Sequence, residues 1–417
     1  MPVIANTTTV DQAFFQPLEG LPAKSLTSKP CPEFSDDAYL RLGVQRVLES
    51  SESGRAFLQE HGGRFANTPE LGNYFAALRS VRRCAVLRDV NVALIDAAHP
   101  ALHDRLADIP ELDNYECFAG DGHWHKAAAR DPRHEDSKMA VGHFYALNLR
   151  RHTLQHLTAG QGLHEHDMSA LKRIKPKGLR QAVPKGKRVL IVYDKAGIDL
   201  AYWRRCRQEC AVYFLSRVKE NMVFDWLESL TVDAADPRNH GVTQDWRVSS
   251  RDGHRLRIIL YTDPQSGENY EFLTNEPDLP PGVIVELYRR RWEAEKTFDQ
   301  IKNKLCEKKA WATSLVAKEA QALFIAITHN LLLFYEQTLE SQHGVTNQVE
   351  DQRRKKRMQA AITECEKAGQ SLSTLVTRAR RAIQRSVKFV RWIRQAIRDQ
   401  AAEGAAVLRL KLLYAAW

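Results

Sequence analysis

Tyr288, Arg291, Glu295 and Lys302, in the segment YRRRWEAEKTFDQIK, bring a phenol, a guanidinium, a carboxylate and an ammonium into fifteen residues. A helix turns about 100° per residue, so their spacing sets all four within a band about 60° wide. Leu287, Ala294, Phe298, Ile301 and Leu305 form an adjacent apolar stripe that can seat the helix on a core, while Arg289, Arg290 and Glu293 point away. A solvated face scatters its charges. Here a tyrosine, an arginine, a carboxylate and a lysine instead line up beside the buried stripe.

Two further carboxylates end apolar runs: NYECFAG leads into Asp121 and RVLIVY into Asp194. Carboxylates crowded at the ends of buried strands repel one another and resist ionisation unless a cation neutralises them. Mg²⁺, with Mn²⁺ as substitute, suits such a cluster because it takes oxygen ligands and keeps several waters. Two such ions would activate an attacking water or hydroxyl and stabilise the leaving oxygen of a phosphodiester. A plainer reading stands beside this one, since an aspartate after a strand is often only a helix cap or a turn residue.

Other residue types offer less. His123, His125 and His134 follow Asp121 closely but match no usual zinc spacing; a DNA contact or a hydrogen bond behind the acid suits His123 or His125 better. Cys206 and Cys210 lack a second pair or a nearby histidine, so a buried helix face is the simpler account. Seven cysteines, an odd number spread along the chain, suit reduced thiols.

The net charge of +10 favours a polyanionic partner. Its distribution says more: KRIKPKGLRQAVPKGKR at 172–188 holds eight Lys or Arg and no acid, RRKKR stands at 353–357, and Arg378, Arg380, Arg381, Arg385, Lys388, Arg391, Arg394 and Arg398 follow. A single charge run is usually a solvated face. Together they point to nucleic acid, and double-stranded DNA is the partner that the resemblance described below implies. No apolar run is long enough to span a membrane, and the N-terminus lacks the pattern of a signal peptide, which implies a cytoplasmic protein without a membrane partner.

The elements that must position these residues change in texture along the chain. Residues 1–35 are polar and aperiodic, as expected of an arm that orders against a partner. Ser35-Asp36-Asp37 caps a helix with Leu40, Val44, Val47 and Leu48 at helical spacing, and Thr68-Pro69-Glu70 starts another through Leu71, Phe75, Leu78 and Val81. Arg79, Arg82, Arg83 and Arg88 on the latter suggest a DNA-binding helical region, with a plain helical subdomain as the alternative. From 114 strands alternate with helices: 114–120, 141–149, 188–193, a helix capped by Asp199, then 211–216, which implies a mixed α/β core. Residues 222–281, with an Asp252-Gly253 hairpin signal, read as a β-rich insertion. Pro280-Pro281-Gly282 opens a long helix carrying the four-residue band, and an apolar helix follows over 317–339.

The interval pattern of Tyr288, Arg291, Glu295 and Lys302, with two, three and six residues between them, resembles the Tyr-Arg-Glu-Lys signature of the insertion-sequence-four family of bacterial transposases. FLTNEPDLPPGVIVELYRRRW before it and the strand-Asp194-loop-helix segment followed by FLSRVKEN look like the same family. The resemblance runs from about 115 to 335, and the Asp121 segment matches least well: GHWH follows Asp121 in place of a short hydroxyl-containing run, and Lys195 stands where an Arg is common. It implies a ribonuclease H-like mixed sheet core with a β-rich insertion, flanked by helical N-terminal and C-terminal regions. The expected division is a helical DNA-binding region at 1–110 with a flexible arm, core at 111–221 and 282–340, insertion at 222–281, and a basic helical region at 341–417.

The same resemblance implies that Asp121, Asp194 and Glu295 are catalytic and hold two Mg²⁺ ions, that Tyr288, Arg291 and Lys302 contact phosphates, and that Tyr270 stacks on a flipped base. Trp246 is a second aromatic candidate, and strand pairing would equally explain both. The activity implied is cut-and-paste transposition: binding terminal inverted repeats, cleaving with water, and joining the 3′ hydroxyl to target DNA, by a homodimer assembled on DNA. A non-catalytic DNA-binding derivative and a structure-specific nuclease on the same fold are the rival classes.

Overall fold

The computed structural model describes residues 8–49, 53–62, 68–124, 142–160, 165, 167–180, 183–264, 266–292, 294–295, 297, 310–345 and 387–415, with short pieces between 356 and 368. In chain order its helices are α1 (Val10–Phe15), α2 (Asp36–Leu48), α3 (Gly54–Gly62), α4 (Leu71–Leu78), α5 (Val81–Ala98), α6 (Asp167–Lys172), α7 (Pro176–Arg180), α8 (Leu200–Cys210), α9 (Pro281–Arg290), α10 (Leu315–His343), α11 (Val387–Arg398) and α12 (Glu403–Ala415). The strands are β1 (Tyr115–Trp124), β2 (Gly142–Asn148), β3 (Leu154–Ala159), β4 (Arg188–Val192), β5 (Val212–Arg217), β6 (Phe224–Ser229), β7 (Val242–Ser250), β8 (Arg255–Thr262) and β9 (Asn269–Thr274). The chain divides into two compact units. One comprises Met1–Leu102, Lys296–Trp311 and Leu323–Trp417; the other comprises His103–Glu295 and Ala312–Ala322. No helix among the described residues is long and apolar enough to cross a membrane.

The first unit is helical. Ser35 caps α2 by accepting from the Ala38 N–H, and Leu40, Val44, Val47 and Leu48 are buried as their spacing predicts. Gly43 lets α10 approach closely: a Cβ there would lie 2.1 Å from the Phe324 ring. Two expectations change. Residues 8–35 pack instead of forming an arm, because Val10, Phe14 and Phe15 recur at helical spacing on α1 and are buried. The helix expected from 68 through Val81 is two helices, since Ser80 caps a new one by accepting from the Arg83 N–H.

In this unit Arg82 and Arg83 serve the fold. Arg82 holds Asp36 through two hydrogen bonds of 2.6 and 2.8 Å, and Ser28 donates to the same carboxylate. Arg83 is buried, with its Nε 3.5 Å from Asp36 and an Nη2 bond to the Phe34 carbonyl. Neither is free to meet a phosphate backbone.

The second unit is a mixed α/β body built on one sheet of order β3-β2-β1-β4-β5-β9-β8-β7-β6. β1, β2 and β3 pair antiparallel, β4 and β5 run parallel to β1, and the rest pair antiparallel. The β-rich segment thus extends the same sheet, through β9 on β5. Continuous apolar runs such as RVLIV in β4 are buried, as a strand covered on both faces requires. Helix α8, capped by Asp199, seats Trp203 against Phe214 on one face. Tyr193 fits beside Gly120, where a Cβ would come within 2.0 Å of its ring. Side-chain-free backbone immediately before Asp121 is therefore required for β1 and β4 to close.

Candidate active site

Strand register decides what meets at the site. Ala119 on β1 pairs with Val192 on β4, and Val192 with Leu215 on β5. Two residues further along the three parallel strands stand Asp121, Asp194 and Arg217, at the carboxyl ends where such sheets place ligands. Alternation at period two keeps them on the face of their paired predecessors. β1 runs on past Asp121 to Trp124, so this acid sits inside a strand, not at its end as the apolar run suggests.

Each aspartate is fixed by one oxygen. Asp121 accepts from the Gly122 N–H at 2.8 Å; Asp194 accepts from the Ala196 N–H at 2.9 Å, capping the short turn Lys195–Gly197. The cap reading of Asp194 is therefore correct as far as it goes, and does not use its second oxygen. Ser216 anchors the turn by donating to the Asp194 carbonyl at 2.8 Å.

Glu295 arrives from the end of α9. The helix expected to continue from Pro281 tightens at Arg291, where Arg291 N–H bonds to Tyr288 O and Ala294 N–H to Arg291 O, both over three residues. Arg291 is buried, with an ion pair to Glu295 at 2.8 Å, and its guanidinium lies 5.6 Å from the Tyr288 ring. Its Nε is buried without a hydrogen-bond partner among the described residues. Tyr288, Arg291 and Glu295 thus come together; Lys302 lies outside the described residues, as do Phe298, Ile301 and Leu305.

The electrostatics tie these groups into one field. Burial pushes Asp121 well above the usual carboxylate range, to about 6, and the negative charges of Glu295 and Asp194 add to the rise against the Gly122 N–H and Arg291. Burial would lower Arg291, but Tyr288, Glu295 and Asp121 together hold it above its ordinary value. Tyr288 is raised by burial, opposed by Arg291 and Arg217. Among the described residues no group of three or more His, Cys, Asp or Glu stands at metal-binding spacing. Glu295 is engaged by Arg291, so a cation shared by all three acids would have to draw it from that pair. Acids whose mutual repulsion suppresses ionisation nevertheless have the donor chemistry a hard divalent ion satisfies.

Arg217 is the residue that sequence reading missed. Its Nε is buried without a hydrogen-bond partner among the described residues, and its guanidinium lies 4.9 Å from the Tyr270 ring. Only the pairing of β5 with β4 reveals it; along the chain it is one arginine in SRVKEN. Tyr270 stacks on Phe272, which meets Tyr288 at 4.9 Å, and its hydroxyl donates to Glu268. It is joined to the site through that aromatic chain. Trp246 packs against the sheet core, whereas Trp226 on β6, not singled out from sequence, is 62% exposed.

Residues 151–331 match the family described as "Transposase DDE domain". The stretch includes Asp194, Arg217, Tyr288, Arg291 and Glu295 but not Asp121. The protein named "Putative transposase y4zB" of Sinorhizobium fredii is 27% identical over 119 residues, 27% of this chain and 33% of that relative's length. This chain therefore matches about a third of the curated relative. A solved structure, the cryo-EM piggyBac transposase synaptic complex with hairpin DNA, aligns over 96% of this chain and 81% of that one at 12% identity and a TM-score of 0.39. At that score the likeness carries no argument.

The remaining sequence candidates divide. Cys206 is buried in the core with its thiol pushed up to about 12 by burial, and Cys210 packs beside it, so the pair is a helix face. His123 lies in β1 across from His143; His125 and His134 fall outside the described residues. In the run 172–188, Arg180 bonds three backbone carbonyls, Lys172 pairs with Asp199, Arg173 with Glu165, Lys187 with Glu116 and Arg188 with Asp278. Lys175, Lys177 and Lys185 stay exposed, with no ion pair among the described residues. Arg391 is exposed on α11, and Arg398 pairs with Glu49. Most of 353–357 and Arg378–Arg385 lie outside the described residues.

Proposed function

We propose that the chain is a DDE transposase that binds terminal inverted repeats, cleaves the DNA at them in a divalent-cation-dependent reaction, and joins the freed 3′ hydroxyl to target DNA. The observation that carries this is the suppressed ionisation of Asp121 beside Asp194 and Glu295, on strands matched in register, with two arginines whose Nε atoms are buried and lack a hydrogen-bond partner among the described residues. The match of 151–331 to a transposase domain supports it. The order β3-β2-β1-β4-β5, with three antiparallel strands followed by two parallel to β1, supports a ribonuclease H-like core. The intervals of Tyr288, Arg291, Glu295 and Lys302 support the insertion-sequence-four family in particular.

Asp121, Asp194 and Glu295 would hold Mg²⁺ or Mn²⁺. When bound, such ions supply activation of the attacking oxygen and stabilisation of the leaving one. The protein's own part is positional. Gly122 and Ala196 N–H groups aim the aspartates. Arg291 and Arg217 present donors to the non-bridging oxygens of the scissile phosphate, and Tyr288 lies between their fields. Lys302 would add a phosphate contact, and Tyr270, with Arg217 over its ring, would stack on a base. Cleavage at two ends requires two such sites, hence a homodimer assembled on DNA, acting on the cytoplasmic nucleoid.

The test replaces Asp121, Asp194 or Glu295 by Ala and follows a labelled terminal-repeat duplex with Mg²⁺. Each variant is expected to lose cleavage and strand transfer while still binding the duplex. Full activity of Glu295→Ala would overturn the assignment. Cleavage without strand transfer by the native chain would make it a nuclease.

A further inference from the structure

Histidines that are scattered in sequence meet on the sheet. His143 on β2 faces His156 on β3, with Nδ1 of the first 3.2 Å from Nε2 of the second. The row holding the acids leads to them: Asp121 pairs with Tyr145, and Tyr145 with His156. His143 is fully buried, whereas His156 is half-buried on the outermost strand of the sheet. Tyr145 packs edge-on against the His156 ring at 5.3 Å and restricts its rotation.

Two imidazole nitrogens at this separation hold either a proton or a cation between them. Zinc–nitrogen bonds of about 2.0–2.1 Å at a tetrahedral angle set two ligand nitrogens roughly 3.3 Å apart. The observed 3.2 Å is therefore already the spacing of adjacent ligands. Both rings stand on paired strands, so little ordering is needed to bind, and the partial exposure of His156 gives an ion a way in. Nitrogen donors select borderline ions, whereas the carboxylates nearby favour hard ones.

We propose that His143 and His156 bind a borderline transition-metal ion of the Zn²⁺ or Co²⁺ class, at a site next to the carboxylates but distinct from them in chemistry, with water completing its coordination. The full-length chain, stripped with chelator, is titrated with Co²⁺ in excess Mg²⁺ and followed by ligand-field absorption. The native chain takes up a single equivalent with a nitrogen-ligated spectrum. His156→Gln and His143→Ala each weaken uptake at least about tenfold, and Asp121→Asn leaves it unchanged. His143 is buried, so its variant is read only where circular dichroism shows a native fold; His156→Gln, at a half-buried position, carries the test on its own. Absence of uptake in excess Mg²⁺, native affinity in His156→Gln, or loss of uptake in Asp121→Asn would overturn the proposal. The last would assign the ion to the carboxylates.

Discussion

Asp36 and Asp121 are both withdrawn from water, and the protein treats them in opposite ways. Burial pushes Asp36 up, but Arg82 in a two-pronged hydrogen bond, Ser28 and Arg83 outweigh it, and its carboxyl lies below the ordinary range. Burial also pushes Asp121 up, and its neighbours reinforce the shift: Glu295 and Asp194 raise it further, with one backbone N–H and the shared Arg291 in opposition. Around Asp36 the helical unit supplies the compensating charge itself. Around Asp121 the sheet unit leaves a deficit of positive charge. A structural charge is satisfied within the chain; a site for an ion and a phosphate is one where both signs remain incompletely satisfied.

The sharpest way to break this contrast is to remove each carboxylate. Asp36→Ala leaves Arg82 and buried Arg83 without their acid, and loss of one member of a buried pair costs about 3–5 kcal/mol. Chemical denaturation should show that loss in full. If the variant unfolds at the native midpoint, the Asp36 network is surface decoration and the comparison fails.

Asp121→Asn should act in the other direction on stability while abolishing cleavage. The native pKa of Asp121, about 6, lies above that of an unfolded aspartate, so the folded state binds the extra proton between roughly pH 4 and 6. Stability contributed by this group is present at low pH and falls as pH rises through that window. Above it, the cost of holding the charge reaches up to about 3 kcal/mol, at 1.36 kcal/mol per unit. Asparagine carries no such cost. Metal-free Asp121→Asn should thus melt higher than the native chain near pH 8 and with it near pH 4; equal melting at both values would mean Asp121 is not held against its charge.

Arg217→Gln tests the second half of the contrast, the unpartnered donor. Removing one preorganised donor from a developing anion typically costs about 100-fold in rate, and a partly exposed side chain with no ion pair among the described residues should change stability by less than about 0.5 kcal/mol. A fall in cleavage rate at unchanged melting temperature is expected. Loss of stability with native cleavage would make Arg217 a strut for Tyr270.

What the sequence disclosed follows from the range of each interaction. Asp199 as the cap of α8, the buried run of β4, and the shared face of Tyr288, Arg291 and Glu295 are set within one or two turns or strands, and all are found in the structure. The tightening at Arg291 was not legible, because ideal pitch assumes uniform bonds over four residues. That Arg82 is held by Asp36 was not legible either, because the two lie 46 residues apart. In the run at 172–188 the partners of Arg180, the carbonyls of Cys210, Pro184 and Lys187, and of Lys187, the Glu116 carboxylate, were likewise not legible. Arg217 could be found only from register between strands. Charge type is local information, whereas charge compensation is tertiary.

The smallest effect is the most specific. If Asp121, Asp194 and Glu295 hold Mg²⁺, the ion binds the folded chain and not the unfolded one, and stabilises it by RT ln(1 + [L]/Kd), about 1.4 kcal/mol at tenfold excess over Kd. Binding needs Asp121 ionised, and its proton is held up to about pH 6, so the Mg²⁺-dependent rise in melting temperature should be small near pH 5 and grow through pH 7. It should vanish in Asp121→Asn at every pH and persist in Arg217→Gln. Because the cation also removes the repulsion that raises Asp121, it should shift that titration downward, visible as proton release on binding near pH 6. A shift independent of pH, or one that survives in Asp121→Asn, would place the ion away from the three acids.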